Sequence, residues 1–217
     1  MASVPTGTQF FIAAAAAIAA TKAITAITNA TTAVVTSVAH GYSNGDILFI
    51  NSGWGRLNRR AFRVANKTTD TYELEGVDTT NTNFYPTGGG VGTSAKITPF
   101  TQILQQMNPQ SSGGDPKQVV YKYTDSDVEY SINDGFSATS YTLELDADSI
   151  STAGYAALKS LTEVQIDTVF YMLLRNGSKI YQPCTVALNE AVQMQEGQIN
   201  RVKVSFNGTG RLSRYAS

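Results

Sequence analysis

Apolar and polar residues alternate along several segments in the second half of the chain. In residues 128–132, 141–145 and 201–206 every second residue is apolar. Alternation with a period of two is typical of strands with one buried face. Residues 169–174 are apolar throughout, which predicts a strand buried on both faces. This pattern predicts a mainly β domain over residues 96–217.

Two local signals organise this domain. Asn176-Gly177 precedes the strand-like residues 180–188, and this dipeptide predicts a two-residue hairpin turn. A single helix is predicted at about residues 151–161, behind polar residues suited to its N-terminus. The residues on its apolar face are Ala153, Ala157, Leu158 and Leu161. One helix beside about seven strands predicts a β-sandwich or barrel with a flanking helix.

The first half of the chain predicts a smaller β unit. After a short N-terminal arm at residues 1–7, the apolar run 9–20 predicts a buried first strand of the main domain. Dense Gly, Asn and Asp turn signals then separate four candidate strands, at 33–38, 46–50, 61–66 and 71–77. We therefore divide the chain into an arm with the first core strand (1–20), an inserted all-β module (21–95) that closes with a flexible Gly-rich segment, and the core domain (96–217).

Residues 105–117 form a long polar stretch rich in Gly, Ser, Gln and Pro. We expect a loop without secondary structure, and loops of this length are often functional or become ordered only on binding. The stretch is therefore a candidate contact loop. Its central residues are Asn108, Pro109, Gln110, Ser111, Ser112, Gly113, Gly114 and Asp115.

Composition argues against most chemical functions. The net charge is −1, and no basic stripe indicates sequence-specific nucleic-acid binding. With only one cysteine, Cys184, and one histidine, His40, the chain lacks a zinc ligand set and a convincing Ser-His-acid triad. We expect no enzyme, no metal and no cofactor. The tightest basic cluster, interpreted as a solvated loop rim, consists of Arg56, Arg59, Arg60 and Arg63.

One acidic cluster remains as a candidate site. In an extended strand, Asp125, Asp127 and Glu129 would project from one face. Three oxygen donors could hold Ca²⁺ or Mg²⁺, but a calcium loop normally adds a glycine turn and a further bidentate acid. We favour an acidic face exposed to solvent or to a pore.

Two stretches resemble phage virion proteins. His-Gly-Tyr-Ser-Asn-Gly-Asp at 40–46, with 60–64 and 71–74 behind it, resembles a small β module that recurs in tail and other virion proteins. Residues 96–214 are similar to siphophage tail tube proteins in their order of parts: opening strand, long loop, paired strands, one helix, long hairpin and final strand. Within them, residues 135–161 look like the middle of that family.

The resemblance implies a tail-tube-like β-sandwich or barrel whose copies form six-fold rings, stacked into a hollow tube through which DNA passes. The implied partners are further copies of the chain and the tape measure, tail tip and tail terminator proteins. DNA would pass without sequence-specific binding, and the virion tail would be assembled in the bacterial cytoplasm. The apolar run at residues 10–20 is too short for a membrane helix, so we expect no membrane partner. Residues 105–117 and the N-terminal arm would then contact the ring above or below, residues 21–95 would decorate the exterior, and Asp125, Asp127 and Glu129 would face the lumen.

Other classes stay open at this point. A tail terminator or head–tail joining protein would form one ring and stop. A carbohydrate-binding adhesin predicts clustered exposed aromatic residues, whereas Trp54 is the only tryptophan. An enzyme of unknown type is the third alternative.

Overall fold

The computed structural model describes residues 6–216, which form 17 strands and one α-helix. Residues 1–5 of the predicted arm, and Ser217, lie outside the described residues. The strands are β1 (Gln9–Ala13), β2 (Lys22–Ile24), β3 (Ala26–Ile27), β4 (Val34–Thr36), β5 (Ile47–Ser52), β6 (Arg60–Ala65), β7 (Thr71–Leu74), β8 (Gly92–Ile97), β9 (Phe100–Ile103), β10 (Gln106–Ser112), β11 (Pro116–Tyr121), β12 (Tyr130–Phe136), β13 (Ser140–Asp146), β14 (Thr168–Leu173), β15 (Lys179–Gln193), β16 (Arg201–Gly208) and β17 (Ser213–Tyr215). The helix is α1 (Ala153–Val164), and Ala15–Ala17 and Ala147–Ser151 are short 3₁₀ turns. The predicted fold class, mainly β with one helix, is confirmed.

The largest sheet is a nearly closed barrel. Its strands follow the order β10-β13-β16-β15-β14-β1-β9, and β17 pairs with β15. Only Leu104 and Gln105 separate the two edge strands, so the sheet must curl until its edges come together. Helix α1 packs against this sheet, and Leu158 and Leu161 are fully buried in the barrel core.

Strand β14 packs against apolar side chains on both faces, as the apolar run at residues 169–174 predicts. Phe170 and Met172 point into the barrel core beside α1. Val169 and Tyr171 lie on the other face, in a second apolar cluster. This strand therefore separates two hydrophobic cores.

The local turn and helix predictions need small corrections. Leu174 donates its N–H to the carbonyl of Ser178, and Gly177 donates to the carbonyl of Leu174. The turn inside the hydrogen-bonded pair Leu174–Ser178 therefore has three residues, 175–177, rather than two. Gly177 closes it with a φ of 82°, which glycine adopts at little cost. Helix α1 begins at Ala153, because Oγ1 of Thr152 accepts the N–H of Tyr155 at 3.3 Å.

The second sheet has seven strands in the order β2-β8-β5-β6-β7-β4-β3, drawn from residues 22–97. Its core surrounds Trp54, which is 1% exposed. The Gly-rich segment packs on this residue, because the indole N–H of Trp54 donates to Pro86 at 2.8 Å and Gly89 and Gly90 lie against the ring. The flexibility expected of the segment stays a prediction. Strand β8 runs across the predicted boundary at 95–96, and the division into domains stays a prediction.

The seven-stranded sheet and the barrel meet along a tight seam. Phe49 and Ile97 from the first pack with Val169, Tyr181 and Tyr215 from the second in one apolar cluster. Polar contacts add to it, since the backbone N–H of Arg63 donates to the Tyr215 hydroxyl at 2.9 Å. The two units are therefore joined by packing as well as by the chain.

Candidate interaction surface

Strands β11 and β12 form a hairpin that stands apart from both large sheets. They pair only with each other, from Pro116–Phe136 at the base to Tyr121–Tyr130 near the tip. We call residues 116–136 the projecting hairpin. It carries seven large apolar side chains that are 43–61% exposed: Val119, Val120, Tyr123, Val128, Tyr130, Ile132 and Phe136. Apolar surface gathered in one place commonly marks an interaction site.

The prediction of a structureless loop at residues 105–117 is wrong. Asn108, Pro109, Gln110, Ser111 and Ser112 belong to edge strand β10, which pairs with β13 through a bulge between Met107 and Gln110. Exposed edge strands carry polar residues on their outer side, so polarity alone did not distinguish this strand from a loop.

Three predicted contact residues do lie outside regular structure. Gly113, Gly114 and Asp115 connect β10 to the projecting hairpin. The base is closed by a backbone hydrogen bond of 2.9 Å from Ser137 to Asp115. A role for residues 108–115 in contacts between rings stays a prediction.

Asp125, Asp127 and Glu129 lie in the turn at the tip of the projecting hairpin. The extended strand assumed for them is wrong, because β12 begins only at Tyr130 and Ser126 accepts the N–H of Val128 within the turn. Within residues 6–216 none of the three forms an ion pair, and no group of acidic, His or Cys residues is arranged to hold a metal ion. We call these acids the acidic tip, and their placement in a lumen stays a prediction.

A basic groove lies at the other end of the hairpin. It has a volume of about 390 Å³ and runs between the loop before β6, the hairpin base and the chain after β16. We call it the arginine groove, and its lining residues are Gly55, Arg56, Asn58, Arg59, Arg60, Gly135, Phe136, Thr209, Gly210 and Arg211. From the sequence, we interpret Arg56, Arg59, Arg60 and Arg63 as a solvated loop rim. Arg56 and Arg59 are exposed, as that interpretation requires, but Arg60 and Arg63 are half-buried, and Arg63 pairs with Glu75.

Arg60 is held without a carboxylate partner in the described part of the chain. Its guanidinium donates to the backbone of Arg56 at 3.1 Å and to the Ser213 hydroxyl at 3.3 Å, while Nε has no partner there. Burial is the main cause that lowers the pKa of Arg60, and the neighbouring positive charge of Arg211 lowers it further. Arg59 is different, because it pairs with Asp167 across the seam.

Cys184 and His40, the two residues considered for nucleophilic or metal chemistry, are both buried. Burial raises the pKa of the Cys184 thiol to about 12, which opposes formation of a thiolate. His40 is 3% exposed, and its Nδ1 accepts the N–H of Tyr42 at 2.9 Å. Among residues 6–216, moreover, no helix has the length and apolar character to cross a membrane.

Comparison with known proteins assigns the family. Residues 52–217, well over half of the chain, match the family described as phage tail tube protein, TTP. A solved structure described as the tail of an empty GTA particle, computed with helical refinement and C6 symmetry, aligns at 11% identity and a TM-score of 0.45 over 55% of this chain and 88% of that one. No curated protein sequence matches the chain. On the family match, this chain belongs to the phage tail tube protein family and is a structural protein of the virion tail.

Proposed function

We propose that copies of this tail tube protein close into rings, and that the rings stack into the hollow tube through which phage DNA passes. Six copies per ring is the number that the resemblance to siphophage tail tube proteins implies. Further partners would be the tape measure, tail tip and tail terminator proteins, with assembly in the bacterial cytoplasm. DNA would pass without sequence-specific binding, and we expect no catalytic activity.

The projecting hairpin is the observation that carries this proposal. A two-stranded hairpin alone in water is at best marginally stable, and this one exposes seven large apolar side chains. Contact with neighbouring copies would remove that surface from water and stabilise the hairpin. A second apolar projection, at the end of β15 and the following turn, adds Val192, Met194 and Ile199.

Two cross-strand pairs of the hairpin provide a matched test. Val119 lies opposite Ile132, and the neighbouring pair Gln118–Asn133 is polar. The variant V119S/I132S should stay folded but form filaments only at a much higher concentration, measured by light scattering and negative-stain microscopy. The control Q118S/N133S should assemble like the wild type.

Three results would contradict the proposal. Filaments of V119S/I132S at the wild-type concentration would show that the apolar pair makes no contact between copies. Single wild-type rings that never stack, even with a tail-tip initiator, would favour a tail terminator. A strictly monomeric wild-type protein that binds sugar would favour an adhesin.

A further inference from the structure

We infer that the acidic tip of one subunit docks into the arginine groove of a neighbouring subunit. The inference rests on the proposed assembly and names two surfaces that would meet in it. The partner is a second copy of this chain.

The arginine groove has positive charge that the described part of the subunit does not balance. Arg56, Arg60 and Arg211 form no ion pair within residues 6–216. Arg60 is half-buried, and a carboxylate beside it would remove part of the cost of that burial. Arg56 and Arg211 are exposed, so their guanidinium groups remain available to a carboxylate from another molecule.

Two orphaned polar atoms lie at the same groove. Nε of Arg60 and Oγ1 of Thr209 are both buried, and neither has a hydrogen-bond partner among the described residues. Nearly all buried polar atoms in proteins are paired, so the two atoms show that the subunit's own groups satisfy this region incompletely. The guanidinium forks of Arg56 and Arg211 suit a carboxylate, because they can donate two parallel hydrogen bonds.

The acidic tip has the complementary charge. It places three carboxylates within five residues, all exposed. The whole projecting hairpin carries four acidic and two basic residues, so its net charge is −2. The turn at the tip presents these side chains at the extreme end of the hairpin, where another molecule can reach them.

The length of the projecting hairpin requires that the acidic tip and the arginine groove in contact belong to different copies. Gly135 and Phe136 at the hairpin base line the groove of the same subunit, while the tip lies roughly 20 Å along the strands at about 3.3 Å per residue. The tip therefore points away from its own groove. A contact from tip to base joins different surfaces of two copies, and such a contact repeats into a ring or an open stack.

Docking excludes the alternative in which the acidic tip faces DNA in the lumen. A carboxylate enclosed by arginines of a neighbour is not available to repel phosphates. The two roles predict different effects of charge reversal: docking predicts that assembly is lost, whereas a lumen position predicts normal tubes with altered DNA passage.

A charge swap tests the inference. The tip variant D125K/D127K/E129K and the groove variant R56E/R211E should each raise the concentration needed for filaments at least tenfold, with unchanged thermal unfolding of the monomer. Both sets of substitutions combined in one chain should recover assembly to within about threefold of wild type, since the lysines at the tip would face the two glutamates in the groove. The control K22E/K67E reverses two exposed charges of the same seven-stranded unit away from the groove and should assemble normally.

Normal filaments from the tip variant would overturn the inference in favour of a lumen or solvent position, and so would failure of the combined chain to recover. Either result leaves the proposed tube intact, provided that the wild type forms filaments. A wild type that forms none would instead end the proposed function, and the inference with it.

Discussion

Gly210 allows the two units of the protein to meet. A Cβ built on this residue would lie 1.9 Å from the carbonyl oxygen of Arg59 and 3.0 Å from its carbonyl carbon. Gly210 belongs to the barrel side of the seam and Arg59 to the seven-stranded unit. We predict that Gly210→Ala destabilises the folded chain by forcing the two apart.

The size of the effect follows from this contact. Ordinary contact begins near 3.4 Å, so one backbone would have to move by roughly 1.5 Å, and neither atom can rotate away. Overpacking of this kind costs about 1–3 kcal/mol. For a chain of this size that loss lowers Tm by about 2–12 °C.

Gly55 provides the matched control. It also lines the arginine groove, no atom lies within 4 Å of a Cβ built on it, and its φ is outside the left-handed region. Gly55→Ala should therefore keep its Tm or gain slightly, through the reduced freedom of the unfolded chain. Thermal unfolding followed by circular dichroism, at a concentration where both variants are monomeric, makes the comparison. Equal stability of the two variants would refute the reasoning about the seam.

Three further predictions concern the barrel and the hairpin. Cys184 should resist alkylation in the native protein and react only after unfolding, because burial raises its pKa to about 12; mass spectrometry after iodoacetamide treatment checks this. The hydrogen bond from Asn108 is the main cause that lowers the pKa of the Glu144 carboxyl in the folded chain, and the contact with Arg201 lowers it further. The ionised Glu144 therefore stabilises the folded chain at pH values above its unfolded pKa, and this stabilisation is lost as the pH falls through its folded pKa. The Tm difference between wild type and Glu144→Gln should therefore shrink from pH 6 to pH 3, and a constant difference would contradict the assignment. Replacing residues 116–136 by Asn-Gly should leave a folded monomer without filaments, and insoluble protein would show instead that the hairpin is needed for folding.

The sequence predicted those parts of the fold that local periodicity determines. Strand β14 was recognised because residues 169–174 are all apolar, and a strand between two cores has no polar face. Helix α1 was located to within a few residues by its apolar face. Each of these signals is contained in one short segment.

Features that depend on distant parts of the chain were missed. Edge strand β10 looked like a loop because its exposed side chains are polar, and only its pairing with β13 identifies it. The burial of Arg60 could not be predicted, because it results from packing of β6 against the chain after β16. The arginine groove likewise combines residues 55–60, 135–136 and 209–211, which no local pattern connects.

Electron cryo-microscopy of the assembled protein, with helical reconstruction, tests the central claim most directly. The account predicts a hollow filament of stacked six-fold rings in which the projecting hairpin contacts a neighbouring subunit. Single rings under all conditions, or filaments in which residues 116–136 contact no other copy, would contradict it.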